Sequence, residues 1–201
     1  MNFAMLNLNP PELRHSLRCF MSPKRALHTL GVEDRAATLA MRWNQDIDKA
    51  RLSALLHDIT KECKNQLKLL EDYGILPSIW ENSAPEVFHA FSGAGLAKAL
   101  GAGDDICDAI RWHTTGRAGM GTLERILYLS DMTEPGRGGI CGRRDLWQLC
   151  LTDLDRALHD GLSLSLNYIQ SRNGPSDPRS AEALAWITER LQRNGEQRET
   201  H

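Results

Sequence analysis

The chain has 201 residues, 41% of them hydrophobic and 25% charged, which suits one packed domain and excludes a disordered or collagen-like polypeptide. A formal net charge of -2 excludes the global basic field that would advertise nucleic acid or an anionic membrane as a partner. No apolar run approaches the roughly 20 residues that a membrane-spanning helix needs.

Helical periodicity dominates and strand-like alternation is absent, so the expected fold class is all-α. Asn9 before Pro10 and Pro11 starts a short helix expected to end near Met21. Ser22-Pro23 joins an N-cap to proline at the first helical position and opens a helix to about Trp43. Asp46 caps the next, which is expected to run through His57-Asp58. A helix from Lys64 to Tyr73 stops at Gly74, and another runs from Pro85 to Leu100. Asp104 or Asp105 caps a short helix ending at Trp112-His113, followed by a loop from Thr114 to Gly119 and a helix from Thr122 to Met132. Glu134 to Gly139 reads as irregular. A long helix from Asp153 to Arg172, a turn at Asn173-Gly174-Pro175 and a helix after Pro178 complete the chain. Residues 1–22 read as an N-terminal extension with no assigned function, 23–194 as the domain, and 195–201 as a frayed tail. The opening segment breaks its apolar stretch with Asn7, Asn9 and two prolines, unlike a signal peptide. Cys19, Cys63, Cys107, Cys141 and Cys150 form no C-x-x-C pair and are expected to be reduced thiols of a soluble cytoplasmic protein.

Helical register sorts the histidines and aspartates, because residues three or four apart share a face. His28 lies with Val32, Ala36 and Leu39; His57 with Ala50, Ser53 and Ala54; Asp58 with Ala54 and Leu55. His89 continues to Gly93, Leu96 and Leu100, His113 ends the stripe Ile106-Ala109-Ile110, and Asp131 lies above Leu127 and Tyr128. A single inward histidine is more often a core residue than a ligand. Together, however, these include two carboxylates, whose burial without partners costs several kcal/mol each. Arg25 and Lys61 could pair them but would leave four inward histidines unexplained. A shared metal site answers for all six, and imidazole with carboxylate but no thiolate suits Fe, Mn, Co, Ni or Zn. Six ligands exceed what one catalytic metal with an open position uses, so two metals sharing a carboxylate fit better. A second dipeptide, His159-Asp160, has a polar upstream flank and reads as a solvated helix face.

The ordered set His28, His57-Asp58, Asp131 resembles the metal-dependent phosphohydrolases of the HD-domain superfamily. The segments Arg25 to Val32, Ala54 to Glu62, Ala109 to Arg117 and Leu129 to Arg137 are together similar to the YqeK family, the symmetrical bis(5′-nucleosyl)-tetraphosphatases of bacteria. This resemblance covers about Pro23 to Arg179 and implies a single helical HD domain with a dinuclear metal site in its core. It further implies an iron-dependent enzyme that splits diadenosine tetraphosphate into two ADP. His28, His57, Asp58 and Asp131 would hold one metal, with His89 and His113 completing a second around Asp58. The family tends to carry a His-Pro-x-Thr element where this chain has Asp177-Pro178-Arg179-Ser180, a departure that bears on nucleotide affinity and base preference.

Cleaving a phosphoanhydride requires a nucleophile and neutralisation of phosphate charge. Asp58, as the shared carboxylate, and Lys61, one turn beyond it, are the expected catalytic pair. Arg25, Lys61, Thr114, Thr115, Arg117 and Arg137 are the expected substrate-binding residues, since hydroxyls and guanidinium groups in a Gly-containing loop can cradle phosphate. Substrate and ADP product are the expected partners, with neither nucleic acid nor membrane, for a monomer or homodimer. Two alternatives stay open: an HD phosphohydrolase of a nucleoside monophosphate, cyclic dinucleotide or guanosine polyphosphate, and a non-catalytic nucleotide-binding module.

Overall fold

The computed structural model describes residue 3 and residues 6–137 and 144–199, and these form eleven α-helices and no strand. Gly138, Gly139, Cys141 and His201 lie outside the described residues. In order the helices are α1 (Pro10–Ser16), α2 (Pro23–Arg42), α3 (Ile47–Leu56), α4 (Gln66–Asp72), α5 (Pro77–Trp80), α6 (Phe88–Ala99), α7 (Asp104–Trp112), α8 (Thr122–Met132), α9 (Arg144–Thr152), α10 (Leu154–Ser171) and α11 (Pro178–Glu199).

Capping chemistry sets most of the boundaries. The side chains of Asn9, Ser22, Asp46, Asn65 and Asp153 accept amide hydrogens of the first turns of α1, α2, α3, α4 and α10. Gly74, at φ +66°, closes the turn after α4 in the left-handed region. Gly121 precedes α8, and its amide donates to the Glu124 carboxylate at 2.6 Å. The short helix expected up to Met21 stops at Ser16 and tightens into a 3₁₀ turn over Leu17–Cys19. The 7-residue α1 is no appendage: Leu13 and Leu17 are buried in the main core, and Arg14 and Arg51 both pair with the buried Glu33 of α2. At the other end, α11 runs to Glu199.

The frame is α2 packed on α3 and α8, with α7 lying against α3, α6 and α8. α10 backs α8 and carries α9 and α11. Leu39, Leu55, Leu56, Ile110, Ile126, Leu127, Leu129 and Leu158 are fully buried between these helices. A smaller cluster of Leu70, Val87, Phe88 and Phe91 holds α4 and α6 against Trp80 and Trp112. The Asp177-Pro178-Arg179 segment fastens α11 to that cluster. Ser83 donates to Asp177 at 2.6 Å, Arg179 donates to the Ile79 carbonyl at 2.7 Å, and its guanidinium lies 5.5 Å from the Trp112 ring centre.

Candidate metal centre

Five elements deliver the six expected side chains to one place in the core. α3 ends at Leu56, so His57 and Asp58 stand just beyond it and not inside a helix as the periodicity suggested. The reason is local. The last carbonyls of a helix lack amide partners, and the His57 ring fills one of these places, its Nδ1 lying 2.6 Å from the Ala54 oxygen. His113, at the end of α7, repeats this with the Ile110 oxygen at 2.7 Å, and His89, at the start of α6, with the Glu86 oxygen at 2.7 Å. A carbonyl can only accept, so Nδ1 carries a proton in all three rings, and in a neutral imidazole Nε2 is left as the lone pair; Lys61 Nζ approaches that of His89 at 3.3 Å and Thr114 Oγ1 that of His113 at 3.1 Å.

Those lone pairs converge on Asp58. His89 Nε2 and His113 Nε2 are 3.2 and 3.7 Å from Asp58 Oδ1 and 3.2 Å from each other. On the other side, His57 Nε2 and His28 Nε2 lie 3.5 and 3.9 Å from Asp58 Oδ2, and His28 Nε2 lies 3.0 Å from Asp131 Oδ1. The ligand atoms of His28, His57 and Asp131 form one set within 4.8 Å of one another, and those of His57, Asp58 and His113 form another. His28 Nε2, His57 Nε2, Asp58 Oδ1 and Asp131 Oδ1 are buried without a hydrogen-bond partner among the described residues. Lone pairs of two neutral imidazoles at 3.2 Å repel, and buried acceptors facing acceptors call for a cation between them. The residues present therefore fit metal ions, with Asp58 turning one oxygen to each side.

The electrostatics follow from burial and neighbours. Burial drives the His113 imidazole towards its neutral form and pushes His89 down to about 4, against the pull of Asp58. Burial also depresses His28, but the Asp131 and Glu134 carboxylates outweigh it and raise this imidazole above its ordinary value. Desolvation would raise the Asp58 carboxyl, yet His57, His113 and His89 hold it well below the usual carboxylate range. Asp131 is lowered too, burial being overcome by Arg137 and His28.

Four of the expected substrate-binding residues border this centre. Arg25 reaches Asp58 Oδ2 at 2.7 Å, and Arg137 reaches Asp131 Oδ2 at 2.9 Å. Lys61 Nζ is 3.3 Å from Asp58 Oδ1, and Thr114 Oγ1 is 3.1 Å from His113 Nε2. Thr115 and Arg117 are engaged elsewhere: the buried Thr115 hydroxyl donates to the Gly116 carbonyl, and Arg117 pairs with Glu124 at 2.7 Å and with Asp108. A cleft of about 1500 Å³ opens beside His28, Arg25 and Arg137. Sequence reading missed Glu134, whose carboxylate lies 3.1 Å from His28 Nδ1.

The HD domain family model matches residues 25–136. The symmetrical bis(5′-nucleosyl)-tetraphosphatase of Bacillus subtilis is 33% identical over 90% of this chain and 98% of its own length. Its counterpart in Halalkalibacterium halodurans is 33% identical over 79% of this chain and 86% of its own. A crystal structure from Clostridium acetobutylicum, described as a predicted HD superfamily hydrolase involved in NAD metabolism, superposes with a TM-score of 0.79 at 29% identity. It covers 90% of this chain and 97% of the solved one.

Proposed function

The chain belongs to the HD-domain hydrolases, in the family of the symmetrical bis(5′-nucleosyl)-tetraphosphatases, and from that premise we propose that it hydrolyses diadenosine tetraphosphate at the central anhydride to give two ADP. The observation that carries the reading is the convergence of four imidazole Nε2 atoms on the two oxygens of the buried Asp58. His28, His57, Asp58 and Asp131 would hold one metal ion, and His89 and His113 would complete a second around Asp58. When bound, such ions lower the pKa of a water molecule from about 15.7 to about 7 and offset phosphate charge. We take both to be iron, as the family resemblance implies, with Mn, Co, Ni or Zn as substitutes that imidazole and carboxylate without thiolate suit as well.

The remaining work falls to side chains around the centre. Arg25 and Arg137 on one flank and Lys61 and Thr114 on the other bracket the buried carboxylates, so a polyphosphate crossing the centre meets positive charge or a hydroxyl on both sides. Asp58 fixes the spacing between the two ligand sets, and Lys61 adds the ammonium nearest to it. Thr115 and Arg117 shape the loop that presents Thr114, through Gly116 and Glu124. The free cysteines Cys19, Cys107 and Cys150 support placing the protein in the cytoplasm. No helix among the described residues is long and apolar enough to cross a membrane.

Product analysis tests the reading. The metal-loaded protein incubated with diadenosine tetraphosphate in oxygen-18 water should yield two ADP per turnover, one of them labelled, without AMP or ATP. AMP plus ATP as main products would overturn symmetrical cleavage.

A further inference from the structure

Each of the four histidines presents Nε2 to the centre, but they hold that aim in two different ways. His57, His89 and His113 each use the peptide oxygen three residues earlier, at Ala54, Glu86 and Ile110. His28 has no such acceptor, because it sits in the body of α2, where the preceding carbonyls are taken by the helix's own amides. Its Nδ1 instead meets Glu134 Oε2 at 3.1 Å, across 106 residues of chain. Glu134 is buried, and its other oxygen accepts the Gly136 amide at 2.7 Å, so one oxygen is turned to the His28 ring and the other to the backbone. Room for this carboxylate exists because residue 31, next on the His28 face, is glycine. A methyl group on Gly31 would stand 2.5 Å from Glu134 Oε1 and 2.8 Å from its Cγ.

We infer that Glu134 is a positioning residue that fixes the tautomer and aim of His28, and that Gly31 is glycine in order to admit it. The inference rests on the metal-centre reading above. A carboxylate partner makes an imidazole a stronger donor than a peptide carbonyl does. The His28–His57–Asp131 set therefore depends on Glu134 for its metal affinity, and the His57–Asp58–His113 set does not.

Titrating the metal-free full-length protein with Co²⁺, followed by visible absorption and elemental analysis, separates the two sets. The unaltered protein should take up two ions. Glu134→Ala should weaken one of them by about 10- to 100-fold and leave the other, whose retention also reports an intact fold. Glu134→Gln keeps an acceptor for Nδ1 without the charge and should lose less. Gly31→Ala, a substitution that a helix by itself favours, should weaken the same ion by pushing Glu134 aside, and should cost nothing further when Glu134 is already alanine. Unchanged affinity in Glu134→Ala, equal loss of both ions, or a Gly31→Ala penalty that persists without Glu134 would each overturn the inference. An unaltered protein that takes up no cobalt would overturn the metal reading and this inference with it.

Discussion

His57-Asp58 and His159-Asp160 are the same dipeptide in two settings. At the second, His159 Nδ1 lies 2.8 Å from Asp160 Oδ1, Arg156 stands one turn earlier at 3.7 Å from that oxygen, and the two side chains are 30% and 41% exposed. Both side chains there remain open to solvent. At the first pair both side chains are within 1% of full burial, His57 has spent its Nδ1 proton on Ala54, and Asp58 faces four imidazoles, Arg25 and Lys61. One pair satisfies itself, whereas the other needs a cation. The dipeptide does not decide this; its place does, at the end of a buried helix in one case and on a half-exposed face of α10 in the other.

The sharpest way to break the comparison is to remove each carboxylate. Asp58→Ala should lose both metals and on the order of 10³-fold or more in kcat, while Asp160→Ala should stay within about twofold. Equal losses in metal content and rate would show that the two settings are not distinct. Chelation should separate the pairs through stability. Metal at about a thousand times its Kd stabilises the native state by about 4 kcal/mol, or roughly 8–16 °C for a chain of this size. Melting of His159→Ala should respond in full to chelator, and melting of His57→Ala should respond little.

Acid supplies a third contrast, in the metal-free protein. His89 titrates at about 4 when folded and near 6.5 when unfolded, so the unfolded chain binds the proton first. The stability this imidazole contributes is complete above pH 6.5 and is lost as pH falls towards 4, by an amount on the order of 3 kcal/mol. His89→Gln should flatten that limb of a plot of stability against pH; an unchanged slope would refute the assignment. The smallest effect concerns one arginine in each setting, Arg137 on Asp131 of the centre and Arg156 beside Asp160. Arg137→Ala should lower kcat/KM by roughly 10- to 100-fold with metal content intact, and Arg156→Ala should change neither.

Much of the architecture was legible because caps are local chemistry. Ser22-Pro23, Asp153 and Pro178 mark the starts of α2, α10 and α11 without help from tertiary contacts. α9 escaped notice because its 9 residues end at Thr152, directly before the cap Asp153 of α10, with no Gly or Pro between the two helices to mark its end. The six candidate ligands were visible as polar residues on apolar faces, a pattern that burial alone produces. Their mutual distances were not, since these depend on how α2, α3, α6, α7 and α8 cross. Glu134 was hidden because it follows α8 and touches His28 from outside any helical register. Its traces in sequence are its place in the Glu134-Pro135-Gly136-Arg137 run and Gly31, a glycine inside an otherwise good helix next to an inward histidine. Thr115 and Arg117 look like phosphate ligands in a Gly-containing loop, and only the structure shows their hydrogen bonds to Gly116 and Glu124.

The facing lone pairs of His89 and His113 mark a point of local frustration in the folding landscape. Elsewhere native contacts support one another, as Leu39, Leu127 and Leu158 do in the apolar interior; here they oppose. A sequence selected only to reach this fold would place apolar side chains of similar volume at positions 57, 89 and 113, and would gain stability by doing so. The chain keeps imidazoles there, so its landscape has a smooth floor only when a cation is part of the native state.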